Sequence, residues 1–344
     1  MKIAVLNSGS SSLKCKVFEY PSKKLLFSQS IEKIGENGSP ISSHSEALDA
    51  LEIDFEDLDA IGHRVVHGGE KLQKSTIIDS NVIATIRELI VLAPLHNPAN
   101  LEGIEVAMKK VPNTPQIAVF DTAFHATLPK EAYLYALPYA LYEKEGIRRY
   151  GFHGTSHAYL AKEAAKVLQK DLSEINIITL HLGNGASACA IKGGKSVDTS
   201  MGFTPLEGLV MGTRCGDIDA EIVLYLQQTL HKTPKEVEHI LNKESGLLGI
   251  CAENDLRSIL LRDDELAKLA VAMMVRRIWK YIGAYMLELQ RVDAIIFSGG
   301  IGEHAEAIRE AVMDNVMLQN IKMLVIQTDE ELEIANECYR VLEI

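Results

Sequence analysis

An apolar strand, Ile3 to Leu6, breaks into the run Asn7-Ser8-Gly9-Ser10-Ser11-Ser12, and a second strand, Leu13 to Phe18, follows at once. In that second arm Leu13, Cys15 and Val17 alternate with Lys14, Lys16 and Phe18, the period of two that buries one face. The opening is therefore a β-hairpin. A connecting turn needs only about two to five residues. This one carries four hydroxyls and an amide. Hydroxyls and backbone N–H groups in a tight turn form a concavity suited to phosphate oxygens, and Lys14 adds a cation. A Walker A loop leads into a helix, so the strand that follows excludes one. Taken alone, the stretch reads more readily as a polar hairpin turn.

Strand and helix patterns alternate along most of the 344 residues, which gives an α/β class, and the length predicts two domains. Further strands are predicted in "QIAVFDTAFH", "INIITLHLGNG", "AIIFSGG" and "KMLVIQ", with a hairpin in "SACAIKGGKSVD" turning at Gly193-Gly194. Helices are predicted over 79–92 with Asp79 or Ser80 as cap, and from Asn97 as N-cap with Pro98 at the first position. Others cover "SHAYLAKEAAKVLQ", about 263–290, a stretch from Glu303, and "DEELEIANECYRVLE". Asn7, Asp121, Gly183, Gly299 and Thr328 each fall at the C-terminal end of a predicted strand. That is the edge where open α/β sheets bind ligands.

The net charge of −12 argues against a nucleic-acid partner, which demands an excess of Lys and Arg. It leaves room for a small anionic substrate served by a few local cations. Five scattered cysteines without a C-x-x-C pair read as reduced thiols in a cytoplasmic protein. The opening on a strand predicts no secretory leader. The apolar run Leu266 to Met274 meets Arg276 and Arg277, so no membrane span is expected.

Several short stretches carry chemistry only in combination. Gly183 and Gly185 in "HLGNGAS" permit close backbone approach to a ligand, and His181 can donate to an anion. "SGGIGEH" runs from a strand into a helix start, a seat for a nucleotide. Arg64 in "GHRVVHGGE" and Arg214 in "VMGTRCGDID" lie among glycines and small residues. Each offers a planar fork matched to carboxylate and phosphate. His153 and His157 in "YGFHGTSH" have zinc spacing if both are helical, but the zincin Glu is absent and Gly154 predicts that His153 precedes the helix. A hydrogen-bonding His153 and a core His157 fit better. Asp121 ends a strand and Glu330 starts the last helix. Both are ordinary placements, and both suit Mg²⁺ in a nucleotide enzyme.

Taken in order, "NSGSSSLK", "HRVVHGGE", "APLHNPANL", "FDTAFH", "YGFHGTSH", "HLGNGAS", "TSMGFTPLEGLVMGTR", "GDID", "GGIGE" and "TDEEL" resemble the acetokinase family, within the actin and sugar-kinase superfamily. The resemblance spans nearly the whole chain. It implies two ribonuclease-H-like (actin-like ATPase) domains with a cleft between them. The first would comprise 1–121 plus 329–344 and the second 122–328, with the dimer interface of a homodimer in the second. The implied reaction is reversible in-line phosphoryl transfer from ATP to acetate, giving acetyl phosphate and ADP, with Mg²⁺ (or Mn²⁺). Propionate as acceptor is the near alternative, and a non-catalytic nucleotide-binding relative is the alternative from another class.

By the same resemblance Asn7, Ser10, Ser12 and Lys14 face phosphates or metal, and Glu330 and Asn7 hold the metal. Arg64, Arg214 and His153 surround the transferring group, with Asp121 serving the carboxylate substrate and Mg²⁺. His153 and Arg214 stabilise the transition state. Val66, Leu95, Phe152 and Pro205 form the pocket for the acetate methyl. His181, Leu182, Gly183, Asn184 and Gly185 form the second phosphate loop. Asp255, Leu256, Arg257, Gly299, Gly300, Ile301 and Gly302 attend the nucleotide. The chain departs from the family pattern at Cys215, Leu256 and His304, where Ser, Phe and Asn are usual, and in a shortened segment between Glu303 and Thr328.

Overall fold

The computed structural model describes residues 1–9, 11–36, 38–94 and 96–343. The chain forms two compact units. One comprises Met1–Ala126, Gly154–Ser156 and Asp329–Ile344; the other comprises Thr127–His153 and His157–Thr328. Each is built on its own sheet.

In the first unit β1 (Lys2–Ser8), β2 (Ser12–Glu19) and β3 (Lys24–Glu32) form an antiparallel meander. β4 (Ala60–Val65) pairs parallel to β1, β6 (Gln116–Phe120) pairs parallel to β4, and the short β5 (Thr76–Ile77) closes the edge. The order is β3-β2-β1-β4-β6-β5. β1 is a continuous apolar run because both its faces are covered. Ala4 and Leu6 join a core with Leu48, Ile61 and Ala107, while Ile3 and Val5 join one with Val119, Ile334 and Cys338. The Asn97–Lys110 helix therefore lies on one side and the final Glu330–Leu342 helix on the other.

In the second unit β7 (Asn176–Leu182), β8 (Ala186–Lys192) and β9 (Lys195–Thr199) repeat the meander. β10 (Ala294–Ser298) and β11 (Lys322–Val325) add parallel strands. The order β11-β10-β7-β8-β9 is the first unit's β6-β4-β1-β2-β3 over again. These paired sheets are the ribonuclease-H-like arrangement that the resemblance implied. The Glu265–Leu289 helix buries Ala267, Ala270, Met274, Ile278, Ile282, Tyr285 and Leu289, a stripe at helical spacing, and Asp264 caps its start.

Two local expectations differ. Asn97 is not the N-cap; His96 is, and Asn97 is the first helical residue. Its side chain instead bonds the His67 backbone, accepting from N at 3.1 Å and donating to O at 3.1 Å. The helix expected from Glu303 begins at Gly299 directly after β10. Gly299 has φ +73°, and a Cβ there would meet the backbone of Leu182 at 2.6 Å, so a side chain is excluded. Among the described residues no helix is long and apolar enough to cross a membrane.

Candidate active site

The candidate residues collect at the C-terminal edge of each sheet. In the first unit β4 and β6 run parallel with Arg64 opposite Val119, and the Asp121 N–H donates to Val65 O at 3.0 Å. That register brings the Arg64 guanidinium to the Asp121 carboxylate. Nε donates to both oxygens at 3.1 Å and Nη2 donates to Oδ2 at 2.6 Å. Burial opposes the Arg64 charge, but Asp121 and then Glu330 outweigh it and raise the pKa further. Glu330 Oε2 lies 3.9 Å from Arg64 Nε. The buried Thr155 hydroxyl stands 3.3 Å from Asp121 Oδ1 and 3.5 Å from Glu330 Oε2. Asn7, one residue from the end of β1, accepts from Arg64 Nη1 at 3.5 Å.

Among the described residues no three His, Cys, Asp or Glu side chains form a metal cluster, so a divalent cation would rest on one or two of these oxygens. Asp121 is engaged three times by Arg64. Glu330 and the Asn7 amide oxygen keep acceptor capacity, because each contacts Arg64 only at long range. Mg²⁺ binds through one or two such hard oxygens, completing its shell with water and phosphate.

Lys14 stands opposite Asn7 in the hairpin, and its ammonium pairs with Glu331 at 2.9 Å. Lys16 bonds Glu331 at 3.1 Å and Asp329 at 2.9 Å. Burial alone would push the Glu331 carboxyl up, yet the two lysines hold it below the usual carboxylate range. Ser12 closes the hairpin turn by accepting from the Gly9 N–H at 2.8 Å. Val66 is buried, and its N–H donates to Asn100 Oδ1 at 3.1 Å. Asn100 Nδ2 donates to Ser8 O at 2.7 Å. One buried amide thus ties the segment after β4 to the first loop. Ser10 and Leu95 lie outside the described residues.

In the second unit His153 is the N-cap of the Gly154–Leu168 helix, with φ +56°. Its ring lies 4.4 Å from that of His181, centroid to centroid. A Cβ at Gly185 would sit 3.5 Å from Arg214 Nη1 and 3.6 Å from His153 Nε2, so both donors converge over this glycine. Arg214 Nη1 donates to Pro205 O at 3.1 Å. Burial pushes the Arg214 pKa down, and among the described residues no carboxylate pairs with it. Phe152 is fully packed away and Pro205 is half-buried.

A cavity of about 560 Å³ lies in the same unit. Gly183, Asn184, Asp255, Leu256, Arg257, Gly300 and Ile301 line it, together with His304. Arg257 is largely exposed and forks onto Asp255, donating at 3.0 and 2.8 Å. Leu182, Gly299 and Gly302 are buried behind this wall.

Sequence reading missed Thr155, Asn97, Asn100, Glu331, Ser187 and Thr179. All lie within or beside quoted stretches, yet nothing local shows what their side chains meet. His153 Nδ1 and His157 Nε2 both bond Ser187 Oγ, at 2.9 and 2.8 Å, which gives the His-x-x-x-His spacing its structural reason.

Paired ribonuclease-H-like sheets with glycine loops at the strand ends define the actin-like ATPase class. ROK hexokinase from Thermus thermophilus shares the fold at 15% identity and TM-score 0.51. The chain itself belongs to the acetokinase family, whose profile matches residues 45–341. It is 53% identical to the acetate kinase of Sulfurimonas denitrificans, over 99% of this chain and all of that one. The acetate kinase structure from Porphyromonas gingivalis superposes with TM-score 0.93 at 39% identity, covering 99% of both chains. A propionate kinase structure from Francisella tularensis superposes with TM-score 0.91 at 41% identity, covering 98% of both.

Proposed function

We propose that the chain is a phosphotransferase with a carboxylate acceptor, catalysing reversible in-line transfer of the γ-phosphoryl of ATP to acetate to give acetyl phosphate and ADP. One observation carries the reading. Arg214 is half-buried among loop residues and, among the described residues, has no carboxylate against it, so its charge awaits an anion from outside the protein.

The chemistry asks little of a general base, because acetate is already a nucleophile at neutral pH. The work is positioning and charge neutralisation on the equatorial oxygens of the transferring group. Arg64, locked by Asp121, orients the acceptor carboxylate. Arg214 and His153 donate to the phosphoryl oxygens. Val66, Phe152 and Pro205, with Leu95, contact the acetate methyl. Ser10, Ser12, Lys14 and the segment His181–Gly185 attend the ATP phosphates. The cavity bounded by Asp255–Arg257 and Gly300–Ile301 takes the nucleoside, with Gly299 and Gly302 shaping its floor. Asn7 and Glu330 hold Mg²⁺, which when bound neutralises phosphate charge as a Lewis acid.

Propionate is the second acceptor to weigh, given the Francisella relative. Val66 narrows the contact surface and favours acetate, since one methylene is worth about 1–3 kcal/mol in such a pocket. A homodimer is supported by exposed Leu266, Leu269 and Met273, spaced along one face of a helix in the second unit. Five free thiols support a cytoplasmic location, and the acidic net charge supports no nucleic-acid partner.

The test is trapping of acyl phosphate with hydroxylamine after incubation with ATP, Mg²⁺ and acetate, propionate or butyrate separately. Strong product from acetate, less from propionate and none from Arg214→Ala is expected. No product with any acid would overturn the reading.

A further inference from the structure

Behind His153 runs a buried line of hydrogen bonds, all within the second unit. His153 Nδ1 meets Ser187 Oγ at 2.9 Å, Ser187 Oγ meets His157 Nε2 at 2.8 Å, and His157 Nδ1 meets Thr179 Oγ1 at 2.7 Å. Ser187, His157 and Thr179 are fully buried. The backbone makes the line possible. His157 N–H donates to His153 O at 3.0 Å, stacking the two residues one helical turn apart. Ser187 on β8 pairs across to His181 on β7, and Thr179 sits two residues back on the same face of β7.

Proton counting fixes the direction of this line. A hydroxyl has one proton, so Ser187 donates to one imidazole and accepts N–H from the other. Two polarities satisfy Ser187, and the far end chooses between them. Among the described residues the Thr179 hydroxyl has the His157 ring as its side-chain partner. If His157 Nδ1 were the donor, the Thr179 O–H would be buried without an acceptor, which costs about 1–3 kcal/mol. Thr179 therefore donates to His157 Nδ1. His157 then carries its proton on Nε2 and donates it to Ser187. Ser187 gives its own O–H to His153 Nδ1, and the His153 proton resides on Nε2, the nitrogen beside Gly185 and Arg214.

We propose that Thr179, His157 and Ser187 are positioning residues that hold His153 in its neutral Nε2–H tautomer, so that it meets the phosphoryl group as an uncharged, fixed hydrogen-bond donor. The partner of one ring nitrogen sets the state of the other. The role rests on the phosphotransferase reading given above; the tautomer itself does not.

The test uses the full chain labelled with ¹⁵N at histidine, with His153→Gln supplying the assignment. In the wild type, His153 Nδ1 is expected to be unprotonated and Nε2 protonated, read without substrate. Thr179→Val keeps the shape and removes the hydroxyl. It should mix the two tautomers and lower kcat roughly 10- to 100-fold while the KM values for ATP and acetate stay within about twofold. Thr179→Ser should restore both readouts, which a role in packing alone would not predict. A wild-type His153 bearing its proton on Nδ1 overturns the proposal, as does an unchanged kcat in Thr179→Val. The wild-type spectrum needs no variant, so a Thr179→Val chain that fails to fold leaves the test standing. An active wild type with the wrong tautomer sinks the relay alone, whereas a wild type that makes no acyl phosphate sinks the phosphotransferase reading instead.

Discussion

Arg64 and Asp121 leave the ends of neighbouring parallel strands and meet through three hydrogen bonds, the shortest 2.6 Å. The geometry is a planar fork on a carboxylate, and a lysine cannot reproduce it. Arg64→Lys should lower kcat/KM for acetate roughly 100-fold, and Asp121→Ala by a similar factor, on the scale of losing one oriented donor. Steady-state kinetics of acyl-phosphate formation would measure both. An Arg64→Lys enzyme within about threefold of wild type would remove the fork from the mechanism.

Among the described residues Arg214 holds one loop carbonyl and no carboxylate. Its removal should therefore cost activity far more than stability. Arg214→Ala is expected to lose roughly 10²–10³ in kcat with its Tm nearly unchanged. Paired calorimetry and kinetics check this, and a large fall in Tm would assign Arg214 to the scaffold instead.

Val66 is buried and its backbone is fixed by Asn100, so shortening its side chain should leave the chain path in place. Val66→Ala should raise kcat/KM for propionate relative to acetate by roughly 10-fold, about one methylene of discrimination. Hydroxylamine trapping with both acids reads the ratio. A ratio that stays at the wild-type value would place the methyl pocket elsewhere.

His63 is buried against Gln116, and burial pushes its ring down to about 4; burial does the same to His67. Unfolded, both return to about 6.5. The unfolded chain therefore binds more protons between these values. The stability they contribute is fully present above pH 6.5 and drains as the pH falls towards 4, by on the order of 1.4 kcal/mol per pH unit for each ring. Urea unfolding at a series of pH values should show the slope, and His63→Gln should remove about half of it.

Arg149 binds the carbonyls of Thr199, Ser200 and Met201 and forks to Glu207, which also accepts from Tyr135. The network fixes the loop that presents Pro205 to Arg214. A Cβ at Gly202 would overlap the Glu207 carboxylate and the Tyr135 hydroxyl. Gly202→Ala should cost roughly 1–3 kcal/mol, the scale of overpacking, and lower kcat with it. Denaturant melts would detect the first effect and the acyl-phosphate assay the second.

Much of this molecule was legible in the residues. The first hairpin, the strand leading to Asp121, the Gly193-Gly194 turn and the long helix before β10 follow from periodicity and capping, which act over a few residues. The helix starts at Asn97 and Gly299 were harder to read. Asn97 spends its side chain on the distant His67 backbone, and Gly299 answers to Leu182, a partner more than a hundred residues earlier.

What the sequence determined by itself was the alternation of strands and helices, the polar loops at strand ends, and the set of charged residues able to handle phosphate and carboxylate. Each is a property of residue type and local spacing. Tertiary structure alone decided that the second sheet repeats the first in strand order, that Arg64 and Asp121 interlock, that Lys14 answers to Glu331, and that Ser187 joins His153 to His157. The physical reason is common to all four. A hydrogen bond, ion pair or strand register depends on which residues are brought within about 3 Å, and the separations here, from 30 residues between His157 and Ser187 to 317 between Lys14 and Glu331, are closed only by folding.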